Sequence, residues 1–108
     1  MSDDNQKSHE EEYAQTWGTP IGQDCISLNV SLAEWLGPRL VFLAEHTTSL
    51  APGFYASDEE HDAATDTFLG EMRAHGETLI RYGNEERDDR AAEEAFRWVA
   101  ENFIHLWD

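Results

Sequence analysis

The apolar positions of this chain fall into three segments. From Leu32 to Ala44 they point in nearly all directions around a helix. A helix that is apolar all round belongs in the middle of a bundle. Ser31 with Glu34 has the capping-box spacing, in which each side chain satisfies a free backbone N–H of the other. The pattern predicts a central helix over 31–47, kinked or split at Gly37-Pro38. Proline removes one intrahelical hydrogen bond there and crowds the preceding turn.

A second helix is predicted over 57–82. Ser57 and Glu60 form its capping box, and Asp58 and Glu59 suit the positive end of the helix dipole. Thr65, Leu69, Met72, Gly76 and Leu79 alternate by four and three along one face. Gly76 would let another backbone come close, Gly70 would face out, and Gly83 would end the helix as a C′ glycine. A third helix is predicted over about 88–107, with the stripe Ala92, Phe96, Val99, Phe103 and Leu106 closed by Trp107. The expected core is Leu36, Leu40, Leu43, Phe68, Met72, Leu79, Phe96, Val99 and Phe103. No alternating strand pattern and no internal repeat competes. The expectation is an all-α, antiparallel three-helix bundle joined by short loops, with residues 17–108 as one domain.

Residues 1–16 are too acidic and too poor in apolar side chains to repay ordering, and are expected to form a disordered tail. Two glycines and a proline follow, so no regular element is expected before about Cys25. Trp17, Ile21, Ile26 and Leu28 are apolar enough to drape that segment over the bundle, with Trp17 as a lid. Thr48 to Ala56, holding Pro52-Gly53, is a loop.

Charge narrows the function classes. There are 23 acidic residues against seven basic ones, a formal net charge of −16. Phosphate contacts need clustered Lys and Arg, so direct nucleic-acid binding and anionic membranes are disfavoured, and a basic protein partner is favoured. The sole lysine is Lys7. Such a balance suits a salt-loving host; a GC-rich genome would also favour arginine over lysine. The lone Cys25 makes no internal disulfide, and its loop holds no partner motif for catalysis. No apolar run approaches the ~20 residues of a membrane span. The start of the chain lacks the basic and apolar regions of a signal peptide, which leads to an expected cytoplasmic location.

Candidate chemistry is sparse. Glu71/His75 and Glu101/His105 are each four apart on a helical face, and Glu45-His46 end the first helix. A bridged two-metal site wants Glu-x-x-His, which is absent, so no metal or cofactor is assigned. Asp58, Asp62 and Asp66 share a face of the second helix. Like charges at that spacing cost a few tenths of a kcal/mol per pair, so the line is either kept for a partner or is a solvated face. These three aspartates are the candidate partner-binding residues. Arg39, alone among basic residues between Lys7 and Arg73, is expected to pair with a carboxylate, Asp108 foremost, with Glu34 or Asp24 as alternatives.

Three ordered fragments carry a family resemblance: Ser27-Leu28-Asn29, then Leu32-Ala33-Glu34-Trp35 leading into Pro38-Arg39-Leu40, and Phe96 to Phe103 closing on Leu106-Trp107-Asp108. Over roughly residues 26–108 the chain resembles small proteins encoded by tailed phages and prophages, with a Leu-Pro-Arg-Leu-like first helix and a terminal Leu-Trp-Asp. It departs from that pattern with Asn29 in place of an acid and Gly37 in place of leucine. The resemblance implies a viral origin and a small helical fold, but no reaction. The expected function is a non-enzymatic accessory protein that binds another protein, such as a host or defence factor. The alternatives are a nucleic-acid mimic filling a basic cleft and a metal-binding bundle.

Overall fold

A computed structural model describes residues 2–49, 51–84 and 86–107. Among them the chain is all-α, with no strand. The helices are α1 Ser2–Trp17, α2 Pro20–Ile26, α3 Leu28–His46, α4 Asp58–Gly83 and α5 Asp89–Glu101, followed by a single 3-10 turn, Phe103–His105. None is long and apolar enough to cross a membrane. The chain divides into two compact units, one reaching to Leu32 and one running from Ala33 onward.

In the first unit, the acidic N-terminal segment takes helical backbone as α1. It has no apolar stripe, and a polar helix of this length is marginal without packing. The expectation of no regular element before Cys25 is corrected by α2. Thr19 is its N-cap, accepting from the Gly22 N–H at 3.0 Å, and Pro20 occupies the first turn. Pro20 therefore starts a helix here instead of breaking one, because its missing N–H is one the first turn never uses. Cys25 is accordingly helical and exposed. Trp17, Ile21, Ile26 and Leu28 are all exposed.

The second unit is organised on α4. Half of its capping box forms as expected: Ser57 Oγ accepts from the Glu60 N–H at 3.2 Å, while Glu60 Oε2 accepts from the Ala56 N–H, one residue before the cap, at 3.1 Å. The predicted stripe is the buried face, with Thr65, Met72, Gly76 and Leu79 buried and Leu69 half-buried. α3 lies antiparallel to it. Gly37 and Gly76 meet at the crossing, Glu34 sits against Gly83 near one end, and Arg73 Nη2 bonds Glu45 Oε1 at 2.8 Å toward the other. A Cβ on Gly37 would stand 2.8 Å from the Ile80 nitrogen, and one on Gly76 would stand 2.9 Å from the Gly37 carbonyl oxygen. Two side-chain-free residues are what let the backbones approach.

That close crossing corrects the view of α3 as an all-round buried helix. Only Ala33, Gly37 and Leu40 are fully buried on it within this unit, while Trp35 and Phe42 stay exposed. Ser31 is no cap, since the helix begins at Leu28 and the Ser31 N–H already donates to the carbonyl of Ser27, the residue before the helix. α3 is assigned as one helix through Pro38, not two. Gly83 also changes role. It has no positive φ, and its lack of a side chain makes room for Glu34, whose Cγ would lie 2.6 Å from a Cβ there.

α5 folds back along α4. Asp88 caps it, accepting from the Ala91 N–H at 3.0 Å, and the Tyr82 hydroxyl donates to Asp89 Oδ1 at 2.9 Å across the hairpin. Trp98, 8 % exposed, packs on Phe68 and His75, and its indole N–H donates to Glu71 Oε2 at 3.1 Å. The buried line is Ala92, Ala95 and Trp98; the expected line through Phe96 and Val99 is only half-buried. The helix stops at Glu101. The Asn102 backbone N–H and side-chain amide both donate to the Trp98 carbonyl, at 3.0 and 2.9 Å, closing the last turn locally. Phe103 is thereby carried out on the 3-10 turn and is 73 % exposed, against its expected place in the core. Of the other expected core residues, Leu40, Met72 and Leu79 are fully buried and Leu36, Leu43, Phe68, Phe96 and Val99 half-buried.

Two comparisons of variants check this packing by denaturant unfolding. Gly76→Ala should destabilise by about 1–3 kcal/mol, because overpacking outweighs the better helix propensity of alanine. Gly70→Ala, with nothing within 4 Å of its Cβ, should stabilise by about 0.5–1 kcal/mol. Equal and favourable effects would place the crossing elsewhere. Trp98→Ala should cost about 3–5 kcal/mol, and Phe103→Ala less than about 0.5 kcal/mol.

Candidate functional site

The N-terminal half of α4 and the loop before it hold the predicted partner-binding residues. Asp58, Asp62 and Asp66 are all exposed, and among the described residues no ion pair reaches them. At 1.5 Å rise per residue they stand about 6 Å apart along the helix. Asp58 lies in the first turn, where the helix dipole favours a negative charge. The repulsion between Asp62 and Asp66 has no such offset. Following the same line along the helix, Gly70 comes next and then Arg73, which bonds Glu45 and Glu77. The acidic line thus ends halfway along α4.

The loop beside it is fixed to the helix. The Ala51 N–H donates to Thr65 Oγ1 at 2.9 Å, and Thr65 passes its own proton to the His61 carbonyl at 2.8 Å. The Ala51 carbonyl lies 2.9 Å from His61 Nε2, and since a carbonyl only accepts, that nitrogen donates. Tyr55 stacks on the His61 ring, with centroids 4.8 Å apart, and its hydroxyl donates to the Pro52 carbonyl. Gly53, at φ +114°, makes the turn, a conformation open to glycine and strained for other residues. Between these anchored residues Phe54 has its side chain fully in solvent. Sequence reasoning placed a loop here. It did not find the clamp, whose only trace is Thr65 on an otherwise apolar stripe.

Several of the other candidates already have side-chain partners. Glu71 and His75 both engage Trp98, Glu45 engages Arg73, and the His46 ring lies 4.4 Å from Phe42. Among the described residues no three potential metal ligands cluster. Arg39 is exposed. Its Nη1 donates to the Trp35 carbonyl at 2.7 Å and its guanidinium lies 4.3 Å over the Trp35 ring. Exposure removes the reason for a carboxylate partner. Glu34 packs instead against Gly83, and the Asp108 proposed for Arg39 lies outside the described residues. Trp107 is exposed, with its carbonyl accepting from Ser49 Oγ at 3.2 Å. A hollow of about 300 Å³ beside Glu12, Tyr13, Thr16 and Trp17 holds none of the predicted partner-binding residues.

The clamp makes a direct prediction. Thr65→Val keeps the shape and removes the acceptor for a buried N–H, so it should cost about 1–3 kcal/mol. Limited proteolysis should then cut between Pro52 and Ala56 while α4 stays intact. Unchanged cleavage would show that the hydroxyl does not hold the loop.

Compared with models of known families, with curated proteins and with solved structures, the chain matches none.

Proposed function

We propose that this chain acts by binding a basic protein partner through the exposed line Asp58, Asp62 and Asp66, with Phe54 as the apolar anchor beside it. The observation that carries the reading is the pairing of exposed acids that no ion pair reaches among the described residues with an aromatic ring held out on a clamped loop. A backbone already clamped leaves only the Phe54 ring to be ordered on binding, and aromatic side chains dominate binding energy at interfaces. In this reading the second unit works as an antiparallel three-helix scaffold. The role is that of a non-enzymatic accessory protein in the host-cell cytoplasm. A phage or prophage origin rests on the resemblance of the sequence fragments alone.

A nucleic-acid mimic would need acids spaced like phosphates along one continuous face. The break at Gly70 and Arg73 counts against it on α4.

The test starts from the full chain as bait in a host lysate, followed by stopped-flow kinetics with the purified partner. Replacing Asp58, Asp62 and Asp66 together by Asn should lower the on-rate several-fold, up to about tenfold, and flatten its salt dependence. Folding stability should change by less than about 1 kcal/mol, since relief at Asp62 and Asp66 opposes the loss of a favourable charge at Asp58. Phe54→Ala should mainly speed dissociation. An unchanged on-rate and salt slope in the triple variant would remove this surface from the function. Unfolding of the wild type at low salt, rescued by the triple variant, would assign the acids to salt adaptation.

A further inference from the structure

α3 carries two opposed faces. Ala33, Gly37, Leu40 and Ala44 alternate by four and three and are buried or half-buried toward α4. Trp35, Arg39, Phe42 and His46 repeat the same spacing two residues on, about 200° round the helix, and all four are exposed. Trp35 is 57 % and Phe42 66 % exposed. From Ala33 onward the helix has two acids, and both turn away from this strip: Glu34 lies on Gly83 and Glu45 bonds Arg73. In a chain with 23 acidic residues, this is a strip with aromatic surface and no carboxylate.

We infer that the Trp35–Phe42 face of α3 is a homodimer interface, in which two copies of this chain pair their α3 helices antiparallel about a two-fold axis near Pro38 and Arg39. Such an axis sets Trp35 of one copy against Phe42 of the other, twice, as an isologous contact requires. Arg39 does not obstruct it. The guanidinium is folded back over its own Trp35 and bonded to that residue's carbonyl, so the two charges are drawn apart toward the N-termini and the apolar stems remain at the axis. The area is consistent with a second copy. Trp and Phe side chains each offer about 150–250 Å², so at these exposures four rings contribute roughly 400–500 Å². With Pro38, the Arg39 stem and His46, the total reaches the order of 1,000 Å², the small end of specific interfaces. A contact of that size belongs with weak, transient interfaces. Its salt dependence has a fixed sign. Two chains of −16 repel, so added salt strengthens the pair, whereas it weakens a charge-steered basic partner on α4.

Sedimentation equilibrium of the full chain tests this from micromolar to near-millimolar concentration, at low and high salt. The expected result is a mass rising from one chain toward two, at lower concentration in high salt. Phe42→Glu should hold the mass at one chain throughout, with unchanged helical circular dichroism and melting temperature, because that side chain does not pack on α4. A second measurement does not depend on that variant. In a Cys25→Ser background, Arg39→Cys should form a disulfide-linked dimer under mild oxidation far faster than Asp66→Cys in the same background. A wild type that remains a single chain at the highest concentration in high salt would overturn the proposal. So would a dimer undiminished by Phe42→Glu, or cross-linking at position 39 no faster than at position 66.

Discussion

The close approach of α3 and α4 at Gly37 and Gly76 is the constraint on which the rest of the second unit depends. Each glycine occupies space a Cβ would need: that of Gly37 would meet the Ile80 nitrogen at 2.8 Å, and that of Gly76 the Leu40 Cβ at 3.0 Å. Helices this close bury small side chains at the contact and leave the large ones to the flanks. Ala33, Gly37 and Leu40 therefore line the contact, and Trp35 and Phe42 fall on the opposite side of α3. Gly83 extends the same logic by receiving Glu34.

With α3 held on one flank, α4 has its other flank and its N-terminal half free for different tasks. Trp98 fills the α5 side and ties Glu71 and His75 into packing. The N-terminal half packs through Thr65 and His61, which spend their polar groups on Ala51. What remains exposed there is an acidic line on a rigid helix and Phe54 on a fixed loop. The proposed heterologous and homotypic surfaces thus lie on different helices and respond to salt with opposite sign.

The sequence was most informative where one side chain decides one contact. Ser57 and Glu60 marked the start of α4 within a residue, Gly76 announced a close backbone, and the absence of contacts at Gly70 matched its reading as outward. It misled where hydrophobicity stood in for geometry. Leu32 to Ala44 is apolar all round, yet the crossing uses only its small face. On α5 the stripe starts correctly at Ala92, but the bulky Phe96, Val99 and Phe103 outweighed Ala95, whose small side chain continues the buried line to Trp98. The end of that helix depends on the Asn102 amide reaching back to a carbonyl, a local competition that an apolar periodicity does not register. At the candidate site the aspartates were named from spacing as an expectation, while the clamp at Ala51 joins residues ten and fourteen positions apart and exists only in the fold.

The glycine crossing can be observed directly by nuclear Overhauser effects in isotopically labelled protein. The account predicts cross-peaks from the Gly37 α-protons to Gly76 and Ile80, together with none from the Trp35 or Phe42 rings to Met72 or Leu79. Strong cross-peaks from Trp35 or Phe42 to Met72 or Leu79, with Gly37 lacking any to α4, would contradict it, because α3 would then be packed on its aromatic face.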